Sequence, residues 1–397
     1  MEEQKRRSNG FDRLGSQSFA FWWGPILAVI TILFLEFVLQ GIYFYSSKGE
    51  LLFRRAIESI YEPDPIRGYR VRPGLSYRRV TYEFDTMVYT NSKGMRTSHL
   101  QEEYSYEKAL GTKRVLFLGP SFAFGTAVEY EEMFTTLLIA RLKLDGMQVE
   151  GINIGTPAQG ILAQLRWFRE EGYRYSPDVV VQVVYGSPFL FGAMEQEFLP
   201  TLHDQIETFQ SPYFVEDGFL VGKNTSPLDR VIGHGKKSAI VFYTFLLKNA
   251  LFSGTDDMFE GTGRVIRRNE RLDETSSLLS VAMSQYREYL GFIREVAGEK
   301  TKVIFLYLPL SYIVHPEYRS RWQHWGLRER DIAFNDSRLI NRALHESGTL
   351  VIDPTDDLME EGKSEKMYNY IDIHFTPEGN KVVANALYDY SNEIKWF

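Results

Sequence analysis

Three residues of this chain have types and placement suited to covalent acyl transfer: Ser121, Asp372 and His374. The apolar run at residues 114–119 leads straight into Gly119-Pro120-Ser121, with Phe122-Ala123-Phe124-Gly125 behind it. A serine there stands at the carboxyl end of a buried strand and close to a helix N-terminus. Its hydroxyl is a weak nucleophile until a base takes its proton. The candidate base is His374, within Asp372-Ile373-His374-Phe375-Thr376-Pro377-Glu378-Gly379, on the loop entering the last helix. Asp372 is placed to fix the histidine tautomer and to stabilise the imidazolium that forms.

The elements that must position these groups alternate. Residues 114–119, 149–154, 178–185, 302–308 and 349–352 read as strands. Residues 131–144, 158–171, 277–296, 336–346 and 377 to about 390 read as helices, the last capped by Thr376 with Pro377 in its first turn. This alternation predicts an α/β fold, a three-layer α/β/α sandwich with a mostly parallel, flavodoxin-like sheet. Chemistry in such folds gathers beyond the carboxyl ends of the strands. Residues 46–110 read as a linker and a small β-rich element, broken by Pro63, Pro65 and Pro73 and by the turn Asn91-Ser92-Lys93-Gly94. Residues 111–397 form the main domain, interrupted at about 188–275 by an insertion that contains a hairpin centred on Asp217-Gly218.

Residues 1–18 form a tail, and residues 19–45 an expected membrane anchor. Phe19 to Leu35 is uncharged, and after Glu36 the apolar run resumes through Leu39. That length crosses a hydrocarbon core of about 30 Å. Trp22 and Trp23 mark one edge, Tyr43 and Tyr45 the other. No small-x-small cleavage site follows, so the segment reads as an uncleaved signal anchor rather than a removable peptide. Lys5, Arg6, Arg7 and Arg13 precede it, and Lys48, Arg54 and Arg55 follow. The slight excess puts the N-terminus in the cytoplasm and the soluble body in the periplasm or outside, held by the inner membrane. Glu36 has two readings: a carboxylate snorkelling to the outer interface, or a polar contact with another membrane protein.

Composition narrows the function classes. The 397 residues are 44% hydrophobic and 24% charged, as in a packed protein. The net charge of -7 argues against nucleic acid. The chain has no cysteine, which excludes disulfides, thiol nucleophiles and cysteine-ligated metals. With no metal-ligand spacing elsewhere, no metal or cofactor is expected. Arg264, Arg267 and Arg268 read as a solvated helix face, Asp353, Asp356 and Asp357 as turn or cap groups, and His315 as a loop histidine.

The spacing of these blocks resembles the SGNH, or GDSL-type, hydrolase superfamily. Residues 114–128 resemble its first block, 153–160 the second, 178–188 the third and 372–379 the last. Residues 61–96 look like the lead-in of bacterial anchored members, and 303–315 match as well, so the likeness covers roughly residues 60–395. The Asp-x-His spacing is similar to branches that O-acetylate exported polysaccharides. By this resemblance, Ser121 is the nucleophile, and Ser121, Ala158 and Ser187 would form the oxyanion hole. Three positions depart from the pattern: Pro120 replaces an aspartate, Ala158 the glycine that donates a backbone N–H, and Ser187 the asparagine whose amide also donates. Losing one such donor typically costs about 10²–10³ in rate.

The resemblance therefore implies a membrane-anchored serine esterase or O-acyltransferase acting on cell-envelope or exported glycans. The alternative is a catalytically degenerate SGNH domain, serving as a membrane-tethered binding or assembly subunit of a larger complex.

Overall fold

The computed structural model describes residues 2–46, 60–186, 201–223, 238–244, 277–319, 338–370 and 372–396, with Tyr82, Asp217, Phe242 and Ser347 outside it. These residues divide into two compact units. One comprises Met1–Arg55 with Ser226–Leu251, the other Ala56–Thr225 with Phe252–Phe397.

The first unit is built on one helix, Glu2–Ser46. Its segment Trp23–Tyr45 is 23 residues long and apolar enough to cross a membrane. At 1.5 Å per residue that is about 35 Å. Leu27, Ile30, Leu33, Phe34 and Phe37 are all exposed. An exposed apolar helix of this length is what a membrane anchor or a signal sequence presents. Pro25 sits inside it, and the helix continues through.

The second unit holds a five-stranded parallel sheet. Its strands are β6 (Lys113–Leu118), β7 (Val149–Asn153), β8 (Val179–Tyr185), β11 (Lys302–Leu308) and β12 (Val351–Ile352). Their order across the sheet is β12-β11-β8-β6-β7, every pair parallel. Taken in chain order this is 2-1-3-4-5, the flavodoxin-like arrangement, with its switch point between β6 and β8. Strand periodicity divides the core in two. Val115, Phe117, Val181, Val183, Ile304 and Leu306 meet the helices Phe134–Leu144 and Pro377–Glu393. Leu116, Leu118, Val180, Val303 and Phe305 meet Ile161–Glu170, Ser277–Ala297 and Arg338–Glu346. The expected three layers are present.

Two local expectations shift. The helix expected from residue 158 begins at Ile161, because Ala158 sits in the left-handed region at φ 59°. The region expected as helix from residue 131 opens with a short 3-10 turn, Tyr130–Glu132, before Phe134–Leu144. The hairpin centred on residues 217–218 forms as expected, from β9 (Tyr213–Glu216) and β10 (Phe219–Gly222).

The lead-in is two small antiparallel sheets. One pairs β1 (Tyr61–Asp64) with β2 (Gly68–Val71); the other orders β3 (Ser76–Val80), β4 (Asp85–Thr90) and β5 (Arg96–Thr97). The second sheet is tied to the loop after β6 by Arg96. Its guanidinium is wholly buried and donates to the carbonyls of Phe124, Gly125, Val128 and Met87. With carbonyls rather than a carboxylate touching it, burial lowers its pKa to about 10.

Candidate functional site

The backbone at the end of β6 places Ser121 by close packing. Pro120 takes the N-cap position of a single helical turn, Ser121–Phe124, which Gly125 closes at φ 72°. Gly155, following β7, must lack a side chain, because a Cβ there would come within 2.3 Å of the Phe124 nitrogen. Asn153 completes the support, its amide donating to the Ala123 carbonyl (2.5 Å) while its oxygen accepts the Gly155 N–H (2.8 Å). Ser121 is left half-buried at the edge of the sheet.

His374 arrives from the other end of the chain. Thr376 caps the helix Pro377–Glu393 as expected, accepting the Gly379 N–H at 3.2 Å. Behind the cap, Asn369 accepts the Ile373 N–H and donates its own N–H to the His374 carbonyl. Between the two polar residues, Ile373 has φ 66°. A β-branched residue in that region is strained, a condition that surroundings must impose. Here the imposition is visible: Ile373 packs against the core while Asp372 and His374 share one side of the loop.

The three candidates form a continuous hydrogen-bonded chain. His374 Nε2 lies 2.7 Å from Ser121 Oγ, and His374 Nδ1 lies 2.5 Å from Asp372 Oδ1. If the Nδ1 position carries the proton toward Asp372, Nε2 is free to accept from the serine. Phe122 sits 4.8 Å from the imidazole centroid and stacks on Tyr185 at 4.1 Å, so the ring has an apolar neighbour fixed from behind.

The second oxygen of Asp372 belongs to a residue that sequence reasoning missed. Arg79, on β3, donates to Asp372 Oδ2 at 3.0 Å and to the Thr126 carbonyl at 3.4 Å. Glu83, also from the lead-in, accepts the Asp372 backbone N–H at 2.8 Å. Burial opposes ionisation of Asp372, yet His374 and Arg79 outweigh it and hold the carboxyl below its ordinary range. A signal existed: on β3, Arg79 shares the face of half-buried Tyr77, while exposed Arg78 pairs outward with Asp85.

His315 is more than a loop histidine. It is 3% exposed and its Nε2 accepts the Met367 N–H at 3.0 Å, bracing the segment that leads to His374. Asp353 behaves as a turn group, accepting from the Asn341 amide and from the Thr355 N–H two residues on. Of the oxyanion candidates, the first N–H of a helical turn, that of Ser121, has no acceptor within its own turn. Ala158 is exposed and left-handed, the conformation that favours glycine. Ser187 lies outside the described residues.

A serine at the switch point of a 2-1-3-4-5 parallel sheet, bonded to the histidine of an Asp-x-His loop before the last helix, is a specific arrangement. The fold is the flavodoxin-like α/β/α sandwich that the sequence resemblance implies. The strand order carries this assignment. No family model matches the sequence, and no curated protein does. Among solved structures, similar chains include an acetyl xylan esterase, AlAXEase, at 17% identity and TM-score 0.36, covering 70% of this chain and 98% of that one. A lipase/acylhydrolase from Enterococcus faecalis is 15% identical with TM-score 0.35, covering 71% and 96%. A GDSL-family lipolytic protein from Veillonella parvula is 12% identical with TM-score 0.34, covering 71% and 97%. Ser121 follows the first strand of the parallel sheet and the Asp372–His374 loop precedes the last helix, with Arg79 of the lead-in sheet meeting the aspartate.

Proposed function

We propose that this chain is a membrane-anchored serine esterase or O-acyltransferase acting on cell-envelope or exported glycans. The carrying observation is the unbroken hydrogen-bonded chain from Ser121 through His374 to Asp372. Ser121 Oγ attacks the ester carbonyl carbon as His374 Nε2 takes its proton, and Asp372 stabilises the imidazolium. The carbonyl oxygen becomes an oxyanion facing the backbone N–H groups of Ser121 and Ala158. Collapse expels the alcohol, which takes the proton back from His374, and leaves an acyl-serine. Water or a glycan hydroxyl then attacks that acyl group, its proton passing to His374, and Ser121 is released as the free hydroxyl.

The exposed apolar helix Trp23–Tyr45 supports the membrane reading, with the body on the periplasmic side following the basic residues at 5–13. The experiment compares wild type with Ser121→Ala for turnover of an aryl acetate and for acetylation of envelope glycan. Loss of both in the variant supports the reading; unchanged turnover in both assays rejects it. The alternative of a degenerate binding or assembly subunit draws on Pro120, Ala158 and Ser187, and it expects Ser121→Ala to be silent.

A further inference from the structure

The anchor's unit contains a piece of the insertion, and Glu36 is where the two meet. An ionised carboxylate within an apolar span is costly unless paired. Glu36 is saturated inside its own chain. Its Oε1 accepts from Gln40 Nε2 at 2.8 Å and from the Ala239 N–H at 2.7 Å. Its Oε2 accepts from the Ser238 hydroxyl at 2.8 Å and the Ile240 N–H at 3.0 Å. Ala239 is buried beside Tyr43, with Leu39 and Tyr243 packed against them.

This contact supplies what a polypeptide needs to enter a region poor in water. Backbone N–H groups at the start of a helical segment have no acceptor in their own helix. In an apolar phase each must find one within the protein. Ala239–Val241 are helical, and the N–H groups of Ala239 and Ile240 are met by Glu36. In sequence, Ser238 to Leu247 holds no charged residue. Tyr43 and Tyr243 carry the amphipathic rings that suit a headgroup boundary.

We propose that residues 238–244 are a second membrane contact, lying in the outer headgroup–acyl boundary of the bilayer and latched to the anchor by Glu36. The proposal rests on the anchor reading above. Glu36 then serves an intramolecular joint, and a separate membrane protein is not needed to satisfy it.

The cysteine-free chain makes the test direct. Full-length Phe34→Cys, Ile240→Cys and Lys300→Cys proteins carry an environment-sensitive fluorophore in phosphatidylcholine/phosphatidylglycerol vesicles. Quenchers sit on the lipids either near the headgroup or deep in the acyl chain. The expected result is loss of Phe34-site emission with the deep quencher, loss of Ile240-site emission with the shallow one, and no loss at Lys300. Quenching at Phe34 without any at Ile240 overturns this inference and leaves the anchor reading standing. Absence of quenching at both sites overturns both. Adding Glu36→Ala to Ile240→Cys is expected to abolish the shallow quenching and raise labelling by a membrane-impermeant maleimide. If neither changes, Glu36 is not the latch.

Discussion

Arg79 and Asp372 form an ion pair at 3.0 Å across 293 positions of sequence, joining the lead-in sheet to the loop that carries the candidate base. The aspartate thus has one oxygen for His374 and the other for Arg79. Both side chains are mostly shielded from solvent, so the pair is less screened than a surface bridge.

Arg79→Ala is expected to lower kcat about tenfold, a barrier change near 1.4 kcal/mol. KM should change little, because Arg79 acts through Asp372 and not on substrate. Arg79→Lys should recover part of the loss by restoring the charge, although it cannot also reach the Thr126 carbonyl in the same geometry. Steady-state kinetics on an aryl ester checks the split, and an equal rise in KM would contradict the positioning role.

Ala158 offers a test of the oxyanion arrangement. Ala158→Gly relieves the left-handed strain, so stability should rise by about 1 kcal/mol or less, with turnover retained. Ala158→Pro removes the N–H and forces φ to about −65°, and kcat should fall by about 10²–10³. Thermal unfolding and kinetics on the two variants together separate backbone strain from the lost donor.

The buried Arg96 is expected to be structural. Arg96→Met removes the donor shared by four carbonyls, of which Gly125 keeps the Val128 N–H, at about 1–3 kcal/mol for each left unsatisfied, partly offset by no longer burying a charge. A net loss of about 3 kcal/mol should lower Tm by several degrees. Differential scanning calorimetry measures it, and an unchanged Tm would contradict the stapling role.

His315 should produce an acid-side stability slope. Burial pushes its pKa down, and nearby Lys366 adds to this while Glu317 opposes it. A depressed histidine contributes stability that is complete above the unfolded value of about 6.5 and is lost as pH falls through the folded value. His315→Gln, which can still accept the Met367 N–H, should flatten that slope in denaturant titrations between about pH 6.5 and 5.

The strand and helix alternation was legible because each buried strand is a short apolar run, as in Val179–Tyr185, and each crossover helix is long enough to read. Ser121 and the Asp-x-His loop stood out by their position against those elements, and Thr376 by its capping chemistry. The alternation of β3 marks Arg79 as inward-facing but not its partner, and Glu83 and Arg96 were not legible at all. Their roles depend on how the lead-in sheet docks, and no local pattern encodes a contact across 28 to 32 residues for Arg96 or across 289 to 293 for Glu83 and Arg79. Ile373 shows the same limit from another side: nothing in its type announces a positive φ, since core packing imposes it against propensity. Ala158 was flagged through its motif position, yet its left-handed backbone displaced the expected helix start by three residues.

With His374 Nε2 2.7 Å from its Oγ, Ser121 is expected to react as an activated nucleophile. The most direct measurement is covalent labelling of the full chain by a serine-directed fluorophosphonate, read by intact mass and peptide mapping. One adduct is expected, on Ser121, absent in Ser121→Ala and much slower in His374→Ala. Failure of the wild-type protein to label, or labelling that survives Ser121→Ala unchanged, would contradict it.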